Sequence, residues 1–330
     1  MELKEIVDEV MSLNKDGIAL CERGKYKDAL IEFKEAAIMS LFLRHKSPDY
    51  WAFSVANQAY CIRRGENDKQ TALELLSDAL DRTHLMLLET KIPRTFFGKA
   101  RLNEELGLVL RYSPDPQNIE LDLRQSLFFT ERSLNLYKIT LNKPSKRSSY
   151  NPTLEIIPKE FLQEKYFRLH GMFGIASLLL SEAVDDIAER LILKSQAEVY
   201  ASKELEMRLE FGEEDGFGLV NAYHTSGIVQ TETDKFEAAK ENLLKAEELV
   251  KKDKLPMVAS VIRFNKLWLT YKQGLNNDIL KEQLDVIVHD QHVEGSKWDK
   301  GVRDYYSQRI LEVANRVNSQ YGAEVYEEFK

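Results

Sequence analysis

Cysteine is almost missing from this chain: Cys21 and Cys61 are the only two in 330 residues. Each sits inside a helical pattern, so a disulfide framework is not supported and a reducing cytoplasm is the expected setting. Proline (8) and glycine (15) are also scarce, which leaves too little turn chemistry for an all-β fold. No apolar run approaches the roughly 20 residues a membrane span needs; "IASLLL" is far too short. The opening "MELKEIVDEVMSL" alternates charged with apolar residues and has no signal-peptide core. Positive charge is outnumbered, with a formal net charge of −8, which argues against a general nucleic-acid binder but leaves room for a local basic patch. Neither direct nucleic-acid binding nor a membrane partner is expected.

Catalytic patterns are missing as well. There is no phosphate-cradling G-x-x-x-x-G-K-S/T, no G-x-G-x-x-G, no H-E-x-x-H and no nucleophile elbow. The nearest approach to a metal set is "HDQHVE", with His289, Asp290, His292 and Glu294. Two histidines at i and i+3 can just share a helix face, but a polar loop ahead of a helix cap is the commoner origin of such a stretch, and these residues read as one. No catalytic, metal or cofactor site is expected, and the chain reads as a non-enzyme.

What is present is a spacing that repeats. In "GIALCERGKYKDALIEFKEAA", Gly17 is followed by Tyr26, Ala29, Phe33 and Ala36. In "GIVQTETDKFEAAKENLLKAEEL", Gly227 is followed by Phe236, Ala239, Leu243 and Ala246, with the same four offsets. A small residue on one helix and two on the next let the axes of a hairpin approach to about 8–10 Å. Degenerate copies stand between them: Ala72, Leu76 and Ala79; Gly107 with Ser126, Thr130 and Ser133 after a Pro-Asp-Pro turn; Gly171 or Gly174, whose register stays open; and a first helix ending at Gly274. Ser47-Pro48 and Pro256 mark helix starts.

Glycine, an aromatic, then A-x3-F-x2-A resembles the tetratricopeptide (TPR) signature. The resemblance implies an all-α fold, a right-handed superhelical array of antiparallel helix hairpins. TPR-like repeats are expected over 1–140 and 161–295, separated by a Pro/Ser/basic loop at 141–160 containing Lys143, Lys146 and Arg147. Capping helices are expected over 296–330, where Trp298, Val302, Tyr306, Ile310, Val313 and Val317 form one stripe behind a Ser296/Asp299 capping box. The candidate units start roughly 40 to 60 residues apart, longer than the usual repeat of about 34, as in the irregular arrays of peptide-sensing regulators.

The resemblance also implies where a partner would lie. First helices line the concave face, which places Asn14 and Ile18, Arg101 and Glu104, Arg168, and Asn221, His224 and Ile228 on the binding surface. Asparagine amides can pair with both the N–H and the C=O of an extended segment. The carboxylate clamp of chaperone-binding members is not met, because Asn14 stands where that clamp has lysine and Ile18 where it has asparagine. The expected function is a protein- or peptide-binding scaffold. A peptide-sensing regulator acting through a partner protein is the alternative, and an accessory subunit of an enzyme complex the third reading.

Overall fold

Short turns joining long amphipathic segments leave each helix one obvious neighbour, the next in sequence. A computed structural model of the chain describes residues 3–43, 48–66, 68–90, 93–112, 115, 117–142, 159–211, 216–253, 256–274, 277–294 and 309–317. All regular structure among these residues is helical, and the fold is the expected all-α array of helix hairpins.

The chain forms two compact units, Met1–Leu169 and His170–Lys330. The first holds α1 (Leu3–Glu22), α2 (Tyr26–Ser40), α3 (Pro48–Cys61), α4 (Lys69–Thr90), α5 (Pro93–Tyr112), α6 (Ile119–Asn142) and the start of α7 (Lys159–Ala183). A single π-helical turn, Ile62–Glu66, extends α3. The second unit holds the rest of α7, then α8 (Ile187–Glu210), α9 (Phe217–Glu232), α10 (Phe236–Asp253), α11 (Pro256–Lys272) and α12 (Asn277–Glu294). Consecutive helices pack in pairs, and first helices also touch the next first helix: α1 on α3, α3 on α5, and α9 on α11. Pro48 and Pro256 open α3 and α11 as expected.

The repeated spacing has a direct steric cause. A Cβ on Gly17 would lie 2.6 Å from the Phe33 ring, and one on Gly227 would lie 2.7 Å from Leu243. Ala29, Ala36, Ala239 and Ala246 are completely buried beside these contacts. The turns match too: Gly24 (φ 72°) and Asp234 (φ 60°) occupy the same left-handed position, seven residues after each glycine. Lys25 N–H donates to Leu20 O at 2.9 Å, and Lys235 N–H donates to Gln230 O at 2.8 Å. Both are Schellman-type helix ends.

In the α5/α6 hairpin the small-residue seam is made by hydroxyls. Ser126 donates to Gly107 O at 2.7 Å and Ser133 to Ala100 O at 2.8 Å, both fully buried. The open register of α7 is resolved in favour of Gly174, where a Cβ would meet Ala197 O at 3.0 Å and Ala201 N at 3.3 Å. Gly171 instead faces the Glu204 carboxylate. At the C-terminal end, residues 309–316 are helical, and Ile310, Val313 and Ala314 cover the apolar faces of α11 and α12 at Trp268, Leu284 and Ile287. That covering is the expected cap. The stretch 143–158, with most of the expected basic loop, and Trp298, Val302 and Tyr306 lie outside the described residues.

Candidate functional site

The first helices of the N-terminal unit bring chemistry together on one side. Phe53 of α3 stacks on Phe97 of α5 (centroids 6.3 Å), and Phe97 meets Phe161 of α7 edge-on at 6.0 Å. The ladder therefore crosses three first helices and ends under Lys165, whose ammonium lies 5.6 Å from the Phe161 ring centroid. Phe97 is buried, whereas Phe161 is 37% exposed and forms the open end.

Behind the ladder lies a buried charge network. Arg101 Nη1 is 3.1 Å from Glu104 Oε2 and 3.5 Å from Glu105 Oε2. Arg63, on the π-helical turn, grips Glu105 Oε1 through Nε (3.1 Å) and Nη2 (3.0 Å). Tyr137 of α6 donates its hydroxyl to Glu104 Oε2 at 3.3 Å. Burial opposes ionisation of Glu104, but Arg101, then Lys165 and Arg168, and finally the Tyr137 hydroxyl outweigh it and hold its pKa at about 2. Burial likewise opposes the Arg101 charge, and Glu104 and Glu105 reverse the effect, so the guanidinium stays protonated.

The network changes character toward its open side. Lys165 Nζ and Arg168 Nη2 each lie 3.8 Å from Glu104 Oε1, beyond hydrogen-bond reach. Neither makes a hydrogen bond among the described residues, and the Arg168 side chain is 45% exposed. Glu104 Oε1 and Arg101 Nε are buried without hydrogen-bond partners. Burial lowers the Lys165 pKa to about 8; Glu104 opposes that shift, while Arg168 and Arg101 add to it. Arg63, Arg101, Lys165 and Arg168 outnumber Glu104, Glu105 and the nearby Glu164. The mouth of the site is a place for negative charge.

Of the residues expected on the binding surface, Arg101, Glu104 and Arg168 are thus assembled within one cluster, with only Arg168 open. Asn14 is 5% exposed, and its amide donates to Val10 O and to Ser54 Oγ, both at 2.9 Å. It ties α1 to α3 rather than offering its amide outward. Ile18 is 41% exposed. In the second unit, His224 accepts from Asn265 Nδ2 at 2.7 Å. That amide also donates to Val261 O, so the histidine Nε2 carries no proton and burial pushes its pKa down to about 4. Ile228 packs against the Leu178–Ala201–Val229 cluster, and Asn221 beside it is half-buried. With Gly174 as the close-contact glycine, the face positions of α7 become Arg168, Gly171 and Ile175.

The aromatic ladder, Tyr137 and Arg63 are not part of the glycine-based spacing, which is why the repeat pattern does not find them. Phe53, Phe97 and Phe161 stand 44 and 64 residues apart, with no common interval. The backbone of 289–294 is helical, forming the end of α12 rather than the expected polar loop; the side chains there lie outside the described residues. Among the described residues no group of His, Cys, Asp and Glu is arranged to hold a metal ion, and no helix is long and apolar enough to cross a membrane.

No protein-family model matches the chain, and no curated protein matches it in sequence. Among solved structures, the chain is similar to the crystal structure of the apo form of RapI. The TM-score is 0.59 at 12% identity, covering 97% of this chain and 95% of that one. At that identity the likeness is one of fold, and it spans the helical array from end to end.

Proposed function

We propose that this is a non-enzymatic, TPR-type binding protein of the cytoplasm, and that the first-helix face of its N-terminal unit takes an extended protein or peptide segment. The observation that carries the proposal is the Phe53–Phe97–Phe161 ladder ending at Lys165 and Arg168. The half-buried Phe53 and the exposed Phe161 supply area for apolar side chains, and the buried Phe97 holds the two rings in line. Two cations uncommitted to hydrogen bonds supply charge-assisted donors to a carboxylate. The segment that suits this surface carries an acidic side chain or its own C-terminal carboxylate beside an apolar residue.

A second reading is a regulator whose ligand changes how it engages a partner protein. It is favoured by the similar solved structure being described as an apo form, a term that presumes a ligand.

The test uses two pools of short fluorescent peptides, identical except that one ends in a carboxylate and the other in an amide. The carboxylate pool should bind, and Lys165→Ala with Arg168→Ala should weaken binding by about tenfold or more, in line with the loss of a charge-assisted pair. A control, Glu241→Ala, removes only an exposed i,i+4 pair with Lys245. Equal binding by wild type and double variant would remove this face as the binding surface.

A further inference from the structure

The fold brings the chain's only two cysteines together. Cys21, the penultimate residue of α1, and Cys61, the last residue of α3, are 40 residues apart in sequence with Sγ atoms 3.5 Å apart. Both are thiols. We propose that Cys21 and Cys61 form a redox site in which peroxide converts the pair to an intramolecular disulfide that fastens α1 to α3.

Three observations shape the chemistry. First, the two sulfurs are differently placed: Cys21 is partly exposed, whereas Cys61 is 1% exposed within the core of Trp51, Val55, Leu76 and Leu102. Peroxide therefore reaches Cys21 first. Second, the hydrogen bond to Cys21 and then burial raise the Cys61 pKa well above the ordinary thiol range. Cys61 consequently holds its proton and waits as the resolving partner rather than attacking peroxide itself. Third, both cysteines lie where helices end. The Cys21 carbonyl accepts from Gly24 N–H in the left-handed turn, and Cys61 is followed at once by the π-helical turn Ile62–Glu66. Bringing the sulfurs from 3.5 Å to a bond of about 2.05 Å needs movement only at those two ends.

The steps balance. The Cys21 sulfur attacks one peroxide oxygen, the O–O bond breaks, and Cys21 sulfenic acid and one water result. Cys61 sulfur then attacks Cys21 sulfur, the S–O bond breaks, and the Cys61 proton leaves with the hydroxyl as a second water. Two electrons pass from the sulfur pair to peroxide, which is the oxidant class required.

The experiment treats the full chain with hydrogen peroxide and reads intact mass, thiol titration after denaturation, and peptide mapping. The expected result is a loss of two hydrogens in mass, titratable thiols falling from two to none, one Cys21–Cys61 cross-linked peptide, and full reversal by dithiothreitol. The melting temperature of the oxidised protein should rise by a few degrees, because a closed loop restricts the unfolded chain. Cys61→Ser should leave Cys21 as a sulfenic acid trapped by a dimedone probe, and Cys21→Ser should leave Cys61 unmodified. If Cys61→Ser folds poorly, the Cys21→Ser arm still separates the roles of the two sulfurs. Wild-type protein that keeps both thiols, gains oxygen on Cys21 without the cross-link, or forms dimers through Cys21 would overturn the proposal.

Discussion

A Cβ at Gly227 would stand 2.7 Å from both Cγ and Cδ2 of Leu243, so this hairpin closes at a point where only a hydrogen atom fits. Gly17 and Phe33 repeat the relationship with the same separation of 16 residues. Gly227→Ala gains about 1 kcal/mol of helix propensity but forces a fully buried leucine aside, at about 1–3 kcal/mol. Net destabilisation of about 1 kcal/mol is expected, and Ala239→Leu, across the same seam, should lose about 1–3 kcal/mol. Urea denaturation of both variants checks this. Unchanged midpoints for the pair would mean the helices separate without penalty, and the steric account of the spacing would fall.

Glu104 is a completely buried carboxylate held by Arg101. Glu104→Gln leaves Arg101 with only the more distant Glu105 oxygen, and breaking a buried pair from one side costs about 3–5 kcal/mol. A double variant, Arg101→Met with Glu104→Leu, should lose much less than the sum of the two single changes, because neither charge is stranded. The acid limb follows from the same residue. Its folded pKa, about 2, lies below the unfolded value, so its stabilisation is complete above the ordinary glutamate range near 4.3 and is lost as pH falls toward 2. Additive single and double effects would show that the residues do not act as a network.

The seams of the hairpins were readable because they depend on small side chains at fixed helical offsets: Ala29, Phe33 and Ala36 recur as Ala239, Leu243 and Ala246, and even Ser126, Thr130 and Ser133 fall at those positions. The site was less readable. Arg101, Glu104 and Arg168 follow from the helix phase, but the phase is blind to length and direction. Asn14 has the right position, yet its amide turns inward to Ser54 and Val10. The partners that define the site, Arg63, Tyr137 and Phe161, come from a π-helical turn, a second helix and the start of α7. Nothing in a glycine-to-alanine spacing connects them. The α7 register needed backbone contact, since Gly171 and Gly174 are equally good glycines until Ala197 and Ala201 are placed against one of them.

His224 gives a pH signature of its own. Its folded pKa, about 4 through burial, is below the unfolded value near 6.5, so the unfolded chain binds the extra proton between those values. Stability from this residue is therefore complete above pH 6.5 and declines as pH falls toward 4, by about 3 kcal/mol at 1.36 kcal/mol per pKa unit. His224→Gln should flatten that part of the stability profile. A histidine resonance titrating near 6.5 in the folded protein would contradict the half-buried, Asn265-bonded tautomer.

Under the proposed function, Lys165 is the residue through which the charged cluster would meet a ligand. Burial brings its pKa to about 8, and Glu104 is the main group opposing that fall. Glu104→Gln should therefore lower it further, a shift readable by NMR of reductively 13C-methylated lysines. An acidic ligand group seated beside the ammonium would act in the opposite direction and raise the pKa, because it favours the charged form. Binding then takes up a proton wherever the ligand-free lysine is already neutral. Affinity for a carboxylate-bearing peptide should be level below about pH 7 and should fall as pH rises past about 8, by up to tenfold for each unit within the window between the two pKa values. In Lys165→Met the affinity should be lower throughout and level across the same range. If the wild-type affinity stays constant up to pH 10, the ammonium of Lys165 is not what meets the ligand's negative charge.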